Sequence, residues 1–116
     1  MTLKEGYASI GADYDGLVER VESEERAERF ALKFLRDTSC EELIECIEKE
    51  DYEEAFRAAH SIKGISLNLG LTELYNISSA LTEELREGKK IIDRTNLDNT
   101  VEEYNKTQDM LKAFVK

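Results

Sequence analysis

The sequence has no proline and no tryptophan, and only six of its 116 residues are glycine. Because proline and glycine most often interrupt helices, their scarcity beside abundant glutamate, lysine and leucine favours an all-α structure. The chain also lacks any apolar run near the ~18 residues that a membrane-spanning helix needs. Its first 16 residues have neither a basic start nor an apolar stretch, which argues against a secretion signal and predicts a cytoplasmic location.

Basic residues are outnumbered, because 16 lysines and arginines stand against 26 aspartates and glutamates and leave a net charge of -10. An acidic chain repels the phosphates of nucleic acids and of anionic lipid surfaces. We therefore expect neither nucleic acid nor a membrane as a partner, and the acidity favours a monomer. Solubility alone would also account for this charge.

Cysteine is limited to Cys40 and Cys46. On one helix, a spacing of six residues separates them by about 120° in azimuth and roughly 9 Å along the axis. That separation excludes a disulfide between them. A zinc site would need about two further ligands. We expect both thiols to be reduced and Cys46 to be the core residue of the two.

Start signals for helices recur along the chain. They lie at Thr2, Asp13, Ser23, Thr38 with Ser39, Asp51, Thr72 and residues 93–96. Thr38 and Ser39 each precede a glutamate three residues on, which predicts two overlapping capping boxes. After Ser23, a core-facing stripe is predicted from the apolar residues Ala27, Phe30, Ala31, Phe34 and Leu35.

Helices of this length with short connections pack against each other in antiparallel fashion. We predict a single all-α domain in which residues 38–116 form an antiparallel four-helix bundle. Residues 1–37 form additional short N-terminal helices that cover one end or side of it.

The helix predicted over residues 51–69 carries the only histidine, His60. A helical wheel places Ala55, Ala59 and Ile62 on the core-facing stripe and His60 about 130° from its centre. The imidazole therefore points outward. Since a lone histidine is more often a structural or plain surface residue, its neighbours decide whether it has a function.

Gly64 and Lys63 are the neighbours that favour a function for His60. Gly64 lies one turn later on the same face, although glycine inside a helix costs about 1 kcal/mol relative to alanine. A missing side chain there leaves room for another molecule beside the imidazole. Lys63, three residues after His60, is placed to pair with an attached phosphoryl group. A helix contact at Gly64 and a solvated Lys63 are the plain alternatives.

Phe56 and Leu67 flank His60 at the margin of the polar face. An apolar rim around a polar centre is typical of a protein-docking surface, although both side chains would also fit the edge of the core. With Arg57, Ser61 and Asn68 they make up the predicted docking residues.

Other catalytic groups are missing from the sequence. Residues 88–90, Gly-Lys-Lys, lack the upstream glycine and the hydroxyl residue of a phosphate-binding loop. No Ser–His–Asp arrangement can be assigned, and a di-metal carboxylate bundle would need Glu-x-x-His twice. A neutral imidazole near neutral pH can accept and release a phosphoryl group, but here it would depend on a partner for catalysis.

The run Ala-His-Ser-Ile-Lys-Gly at residues 59–64, followed by Asn-Leu-Gly at 68–70, resembles the signature of histidine-containing phosphotransfer (HPt) domains. The family pattern is roughly His-x-x-Lys-Gly with a later Leu-Gly, and its spacing is matched throughout. The resemblance extends from about residue 25 to the end. The segment Gly-Ala-Asp-Tyr-Asp at 11–15 is similar to that of free-standing bacterial members.

The resemblance implies a four-helix bundle with His60 as phosphoacceptor, Lys63 as support for the phosphoryl group and Gly64 as clearance for a docking partner. It implies a phosphocarrier rather than an enzyme, which exchanges phosphoryl groups with aspartates of response-regulator receiver domains and works with hybrid histidine kinases. The chain itself would bind no cofactor, since the receiver brings the Mg²⁺.

Thr82 is the departure from the family pattern. Many members have glutamine or glutamate 22 residues after the histidine, where it hydrogen-bonds the imidazole. A threonine hydroxyl has a shorter reach, so Thr82 is only a weak site residue. Two alternative functions stay open, namely a non-phosphorylated helical adaptor that binds a receiver or another signalling partner, and a metal-binding carboxylate bundle.

Overall fold

The computed structural model describes residues 1–115, and Lys116, the last residue of the predicted bundle segment, lies outside that range. The predicted all-α fold is confirmed, because no strand occurs in residues 1–115. The α-helices are α1 (Leu3–Ser9), α2 (Tyr14–Val21), α3 (Glu24–Lys33), α4 (Ser39–Glu48), α5 (Tyr52–Leu69), α6 (Thr72–Glu84) and α7 (Thr95–Val115). None of these helices is both long enough and apolar enough to span a membrane.

Side-chain caps begin several helices where the sequence predicts them. At α1 the Thr2 hydroxyl accepts the backbone N–H of Glu5, and the Glu5 carboxylate accepts that of Thr2, which completes the predicted capping box. Asp13, Ser23 and Asp51 each accept the N–H of the residue three positions later. Local sequence therefore sets these starts.

The start of α4 is different, and the capping boxes predicted there are wrong. Thr38 makes no side-chain cap bond. Instead the Asp37 carboxylate accepts both the backbone N–H of Ser39, at 3.1 Å, and the Ser39 hydroxyl. The Tyr104 hydroxyl of α7 also donates to this carboxylate, at 2.6 Å. Asp37 is thus oriented by a helix far away in sequence, which a local pattern does not reveal.

The bundle is built from α4, α5, α6 and α7, with α5 packed between α4 and α6, and α6 packed on α7. Its largest buried side chains are Leu43, Ile62, Leu74, Leu81, Leu85, Leu97 and Leu111. The N-terminal helices are tied to the C-terminal end of α5. The Tyr7 hydroxyl donates to the Leu69 carbonyl at 2.8 Å, and Arg20 donates to the Asn68 carbonyl at 3.1 Å.

Two expectations about burial are wrong. Cys40, only 4% exposed, is the core thiol, whereas Cys46 is half-buried, because the inward stripe of α4 runs through Cys40, Leu43 and Ile47. Burial raises the pKa of Cys40 to about 11. Phe30 is 45% exposed, since α3 turns Ala27 and Ala31 inward and leaves Phe30 at the edge of that stripe.

Candidate functional site

Helix α5 has a closed face and an open face. On the closed face Ala55, Ala59 and Ile62 are fully buried, and small side chains there let the neighbouring helices approach closely. His60 lies on the opposite face and is exposed, as its position on the helical wheel predicts. The imidazole is therefore accessible to another protein.

Gly64 leaves open space next to His60. A Cβ added at Gly64 would have no heavy atom within 4 Å, apart from the helix's own nearby backbone and the adjoining residues. Contact with a neighbouring helix, the plain explanation for this glycine, is therefore not what the structure shows. On the open face of α5, the space one turn after His60 is therefore unoccupied.

Lys63 lies on the side of the open face that borders α6. Its side chain is half-buried, and its ammonium group is 5.9 Å from the centre of the Tyr75 ring on α6. Tyr75 thus provides an aromatic surface for a positive charge placed three residues from His60. The ammonium group therefore lies on the side of α5 that faces α6.

Arg86 and Glu83 add two more charged side chains on the side of the open face that borders α6. Arg86 Nε donates to Glu83 at 3.0 Å, and this hydrogen bond, with a smaller contribution from the charge of Lys63, lowers the pKa of the Glu83 carboxyl. The Arg86 guanidinium also lies 6.0 Å from the centre of the Phe56 ring. The Phe56 ring in turn is 6.0 Å from the His60 ring, at an angle of 50°.

Sequence reasoning missed Arg86 and Tyr75 as neighbours of the histidine. A signal for them was present, because Tyr75, Thr82 and Arg86 recur at intervals of seven and four residues, which puts them on one side of a helix. Once Thr82 is aligned with His60 through the family pattern, the other two follow along the same side of α6 and the turn after it.

The predicted docking residues lie at different places around the open face. Phe56, which is half-buried, contacts the α6 side, whereas Leu67 is 57% exposed on the open face itself. Arg57 and Ser61 line a hollow of about 300 Å³ between α5 and α4. Asn68 is exposed and lies at the end of α5 that Arg20 contacts.

Thr82 is buried, with 1% of its surface exposed, and its hydroxyl donates to the Ser78 carbonyl of its own helix at 2.7 Å. That proton is therefore not directed at the imidazole. Among residues 1–115 no hydrogen bond to the His60 ring is present. The aromatic contact with Phe56 is what the structure offers to position the ring.

A comparison with protein-family models adds independent information. The model described as the Hpt domain matches residues 18–115, from α2 to the end of α7. The chain belongs to the Hpt domain family. Hpt domains have a phosphotransfer role in two-component signalling, as phosphocarriers that interact with receiver domains and kinases. Comparisons with the curated proteins and with the solved structures give no significant match.

Proposed function

We propose that this Hpt domain relays phosphoryl groups between His60 and the aspartates of receiver domains in a two-component phosphorelay. The observation that carries the proposal is the exposed imidazole with open space beside it at Gly64. This space lies one turn after His60, where a receiver that presents its aspartyl phosphate to the imidazole would pack against α5.

The reaction needs few groups from this chain. The lone pair of an imidazole nitrogen forms an N–P bond while the P–O bond to the receiver aspartate breaks and leaves a carboxylate. The Lys63 ammonium balances the charge of the phosphoryl group as a point charge. The receiver supplies the Mg²⁺ and the remaining catalytic groups, so this chain acts as a carrier in either direction.

The open face supplies the docking surface. Phe56 and Leu67 provide the apolar contacts on either side of His60, while Arg57, Ser61 and Asn68 form the polar border. Apolar contacts beside the reacting histidine, with polar residues around them, suit an interface that forms and dissociates repeatedly.

The experiment is transfer of labelled phosphate from each phosphorylated receiver domain of the source organism, in the presence of Mg²⁺. We expect label on the parent chain that is acid-labile and alkali-stable, as phosphohistidine is, and none on His60→Gln. Label on His60→Gln would refute the assignment. Receiver binding that is unchanged in His60→Ala, without transfer from any receiver, would instead identify a non-phosphorylated adaptor.

A further inference from the structure

Basic residues are concentrated in one part of this acidic chain. Residues 20–36 contain five of the 16 lysines and arginines but only four of the 26 acidic residues. The other 99 residues contain 11 basic and 22 acidic ones. The segment corresponds to the end of α2, to α3 and to the turn that follows α3.

The cations of this segment share one side of α3. Arg26, Arg29 and Lys33 recur at helical spacing, and together with Arg20 and Phe30 they line a concave surface of about 510 Å³, which we name the basic hollow. Glu24 and Glu28 lie elsewhere, near Tyr14, where burial and then their charges raise the pKa of that phenol. These two glutamates are therefore on a different side of α3 from the cations.

The positive charge of the basic hollow is largely unpaired within the structure. Arg26 is paired with Glu22 at 3.7 Å. Among residues 1–115, Arg20, Arg29 and Lys33 have no carboxylate within 4.0 Å. The Lys33 ammonium instead lies 4.8 Å from the centre of the exposed Phe30 ring. A cationic surface that includes an exposed aromatic ring is suited to an acidic protein partner.

The basic hollow is continuous with the helix that carries His60. Phe30 and Lys33 also line a second, more apolar cavity of about 280 Å³, whose other wall includes Ile65 and Asn68 of α5. Asn68 lies eight residues after His60, which is about 12 Å along the helix axis. A standard protein interface covers about 800 Å² of each partner, a patch roughly 30 Å across. A patch of this width that includes His60 toward one edge extends past Asn68 to the apolar cavity that adjoins the basic hollow.

We propose that the basic hollow binds an acidic surface of the receiver domain that exchanges phosphoryl groups with His60. This inference rests on the proposed function. The contact lies away from the reacting atoms, so it holds the receiver whether or not His60 is phosphorylated. It selects receivers that present carboxylates to the basic hollow when their phosphorylated aspartate is at His60. Such receivers also present an apolar side chain to the cavity beside Phe30.

The test compares two doubly substituted full-length chains of equal net charge. One is Arg29→Glu with Lys33→Glu in the basic hollow, and the control is Lys106→Glu with Lys112→Glu on α7, all at exposed positions. The probe is the receiver that labels the parent chain fastest. Its affinity, unphosphorylated, is measured by titration calorimetry at about 0.1 M and about 0.5 M salt.

At the lower salt concentration we expect the substitutions in the basic hollow to weaken binding at least about tenfold and the control substitutions less than about threefold. The difference in affinity between these two variants should be smaller at the higher salt concentration, where charges are screened. Phe30→Ala should weaken binding similarly at both concentrations, because it removes an apolar contact rather than a charge. If circular dichroism shows that the charge-reversed chain is unfolded, Arg29→Gln with Lys33→Gln replaces it, with about threefold weaker binding expected.

Equal affinities of the two charge-reversed chains would overturn the inference, and phosphoryl transfer to the parent chain would then leave the proposed function intact. A parent chain that no receiver labels would refute the proposed function, and the inference would fail with it.

Discussion

The two faces of α5 differ in what their residues contact. The closed face is complementary to its neighbours, with Ala55, Ala59 and Ile62 fully buried. The open face carries an exposed imidazole and a glycine with free space where a side chain would begin. The closed face therefore stabilises the fold, whereas the open face contributes little to stability and is available to a partner.

The glycines of the chain also differ in how closely their surroundings are packed. A Cβ at Gly6 would come within 2.7 Å of Met110 Sδ, and one at Gly70 within 2.5 Å of the Asp13 carbonyl oxygen. Gly70 also has a φ of +70°, which ends α5 in the left-handed conformation. The fold therefore requires glycine at position 70, and a side chain at position 6 would force Met110 to shift. The fold does not require Gly64, so we infer that a partner is the reason for glycine there.

The largest expected effect is on the closed face. Ile62→Ala should lower the free energy of unfolding by about 2–5 kcal/mol, because it leaves a cavity between tightly packed helices. Leu67→Ala on the open face should change it by less than about 0.5 kcal/mol. Urea denaturation of both variants measures this difference. Similar losses in the two would show that the faces do not differ as described.

An intermediate effect is expected at Lys63. Lys63→Gln should slow transfer from a receiver to His60 about tenfold, equivalent to about 1.4 kcal/mol, because the phosphoryl group loses a supporting positive charge. Lys63→Arg should restore most of the rate, and Lys106→Gln on α7 serves as the matched control. The measurement is the initial rate of labelling. A rate unaffected by Lys63→Gln would remove this lysine from the site.

The smallest effect is expected at Thr82. Thr82→Val removes a hydroxyl that donates to the Ser78 carbonyl, so the transfer rate should stay within about twofold of the parent rate. Rapid-quench kinetics can resolve such a change. A much slower rate would mean that the threonine hydroxyl orients the imidazole during transfer, in place of the glutamine or glutamate that many family members have there.

The sequence predicts the elements that depend on nearby residues. The bounds of α5, its cap at Asp51 and its end at Gly70 follow from local start and stop signals, and the structure has them at those positions. The outward position of His60 follows from helical periodicity alone. Because α5 is long, its buried stripe is well defined and the exposed side can be identified with it.

The sequence does not predict features that depend on distant residues. Asp37 caps α4, and its carboxylate is oriented by a hydrogen bond from Tyr104, which is 67 residues away in the sequence. The place of Arg86 beside Phe56 depends on how α5 and α6 pack. Phe30 is misassigned because α3 is short, so one apolar residue at the margin of its stripe can lie on either side of the boundary with solvent.

The most direct test of the account measures stability and transfer together at Gly64. Gly64→Ala should stabilise the fold by up to about 1 kcal/mol, since alanine is the better helix residue and the added methyl group has free space. Gly64→Gln should leave the fold intact and slow transfer to His60 by about tenfold or more, because its side chain fills the space that the receiver enters. Transfer at the parent rate by a folded Gly64→Gln chain would contradict the account.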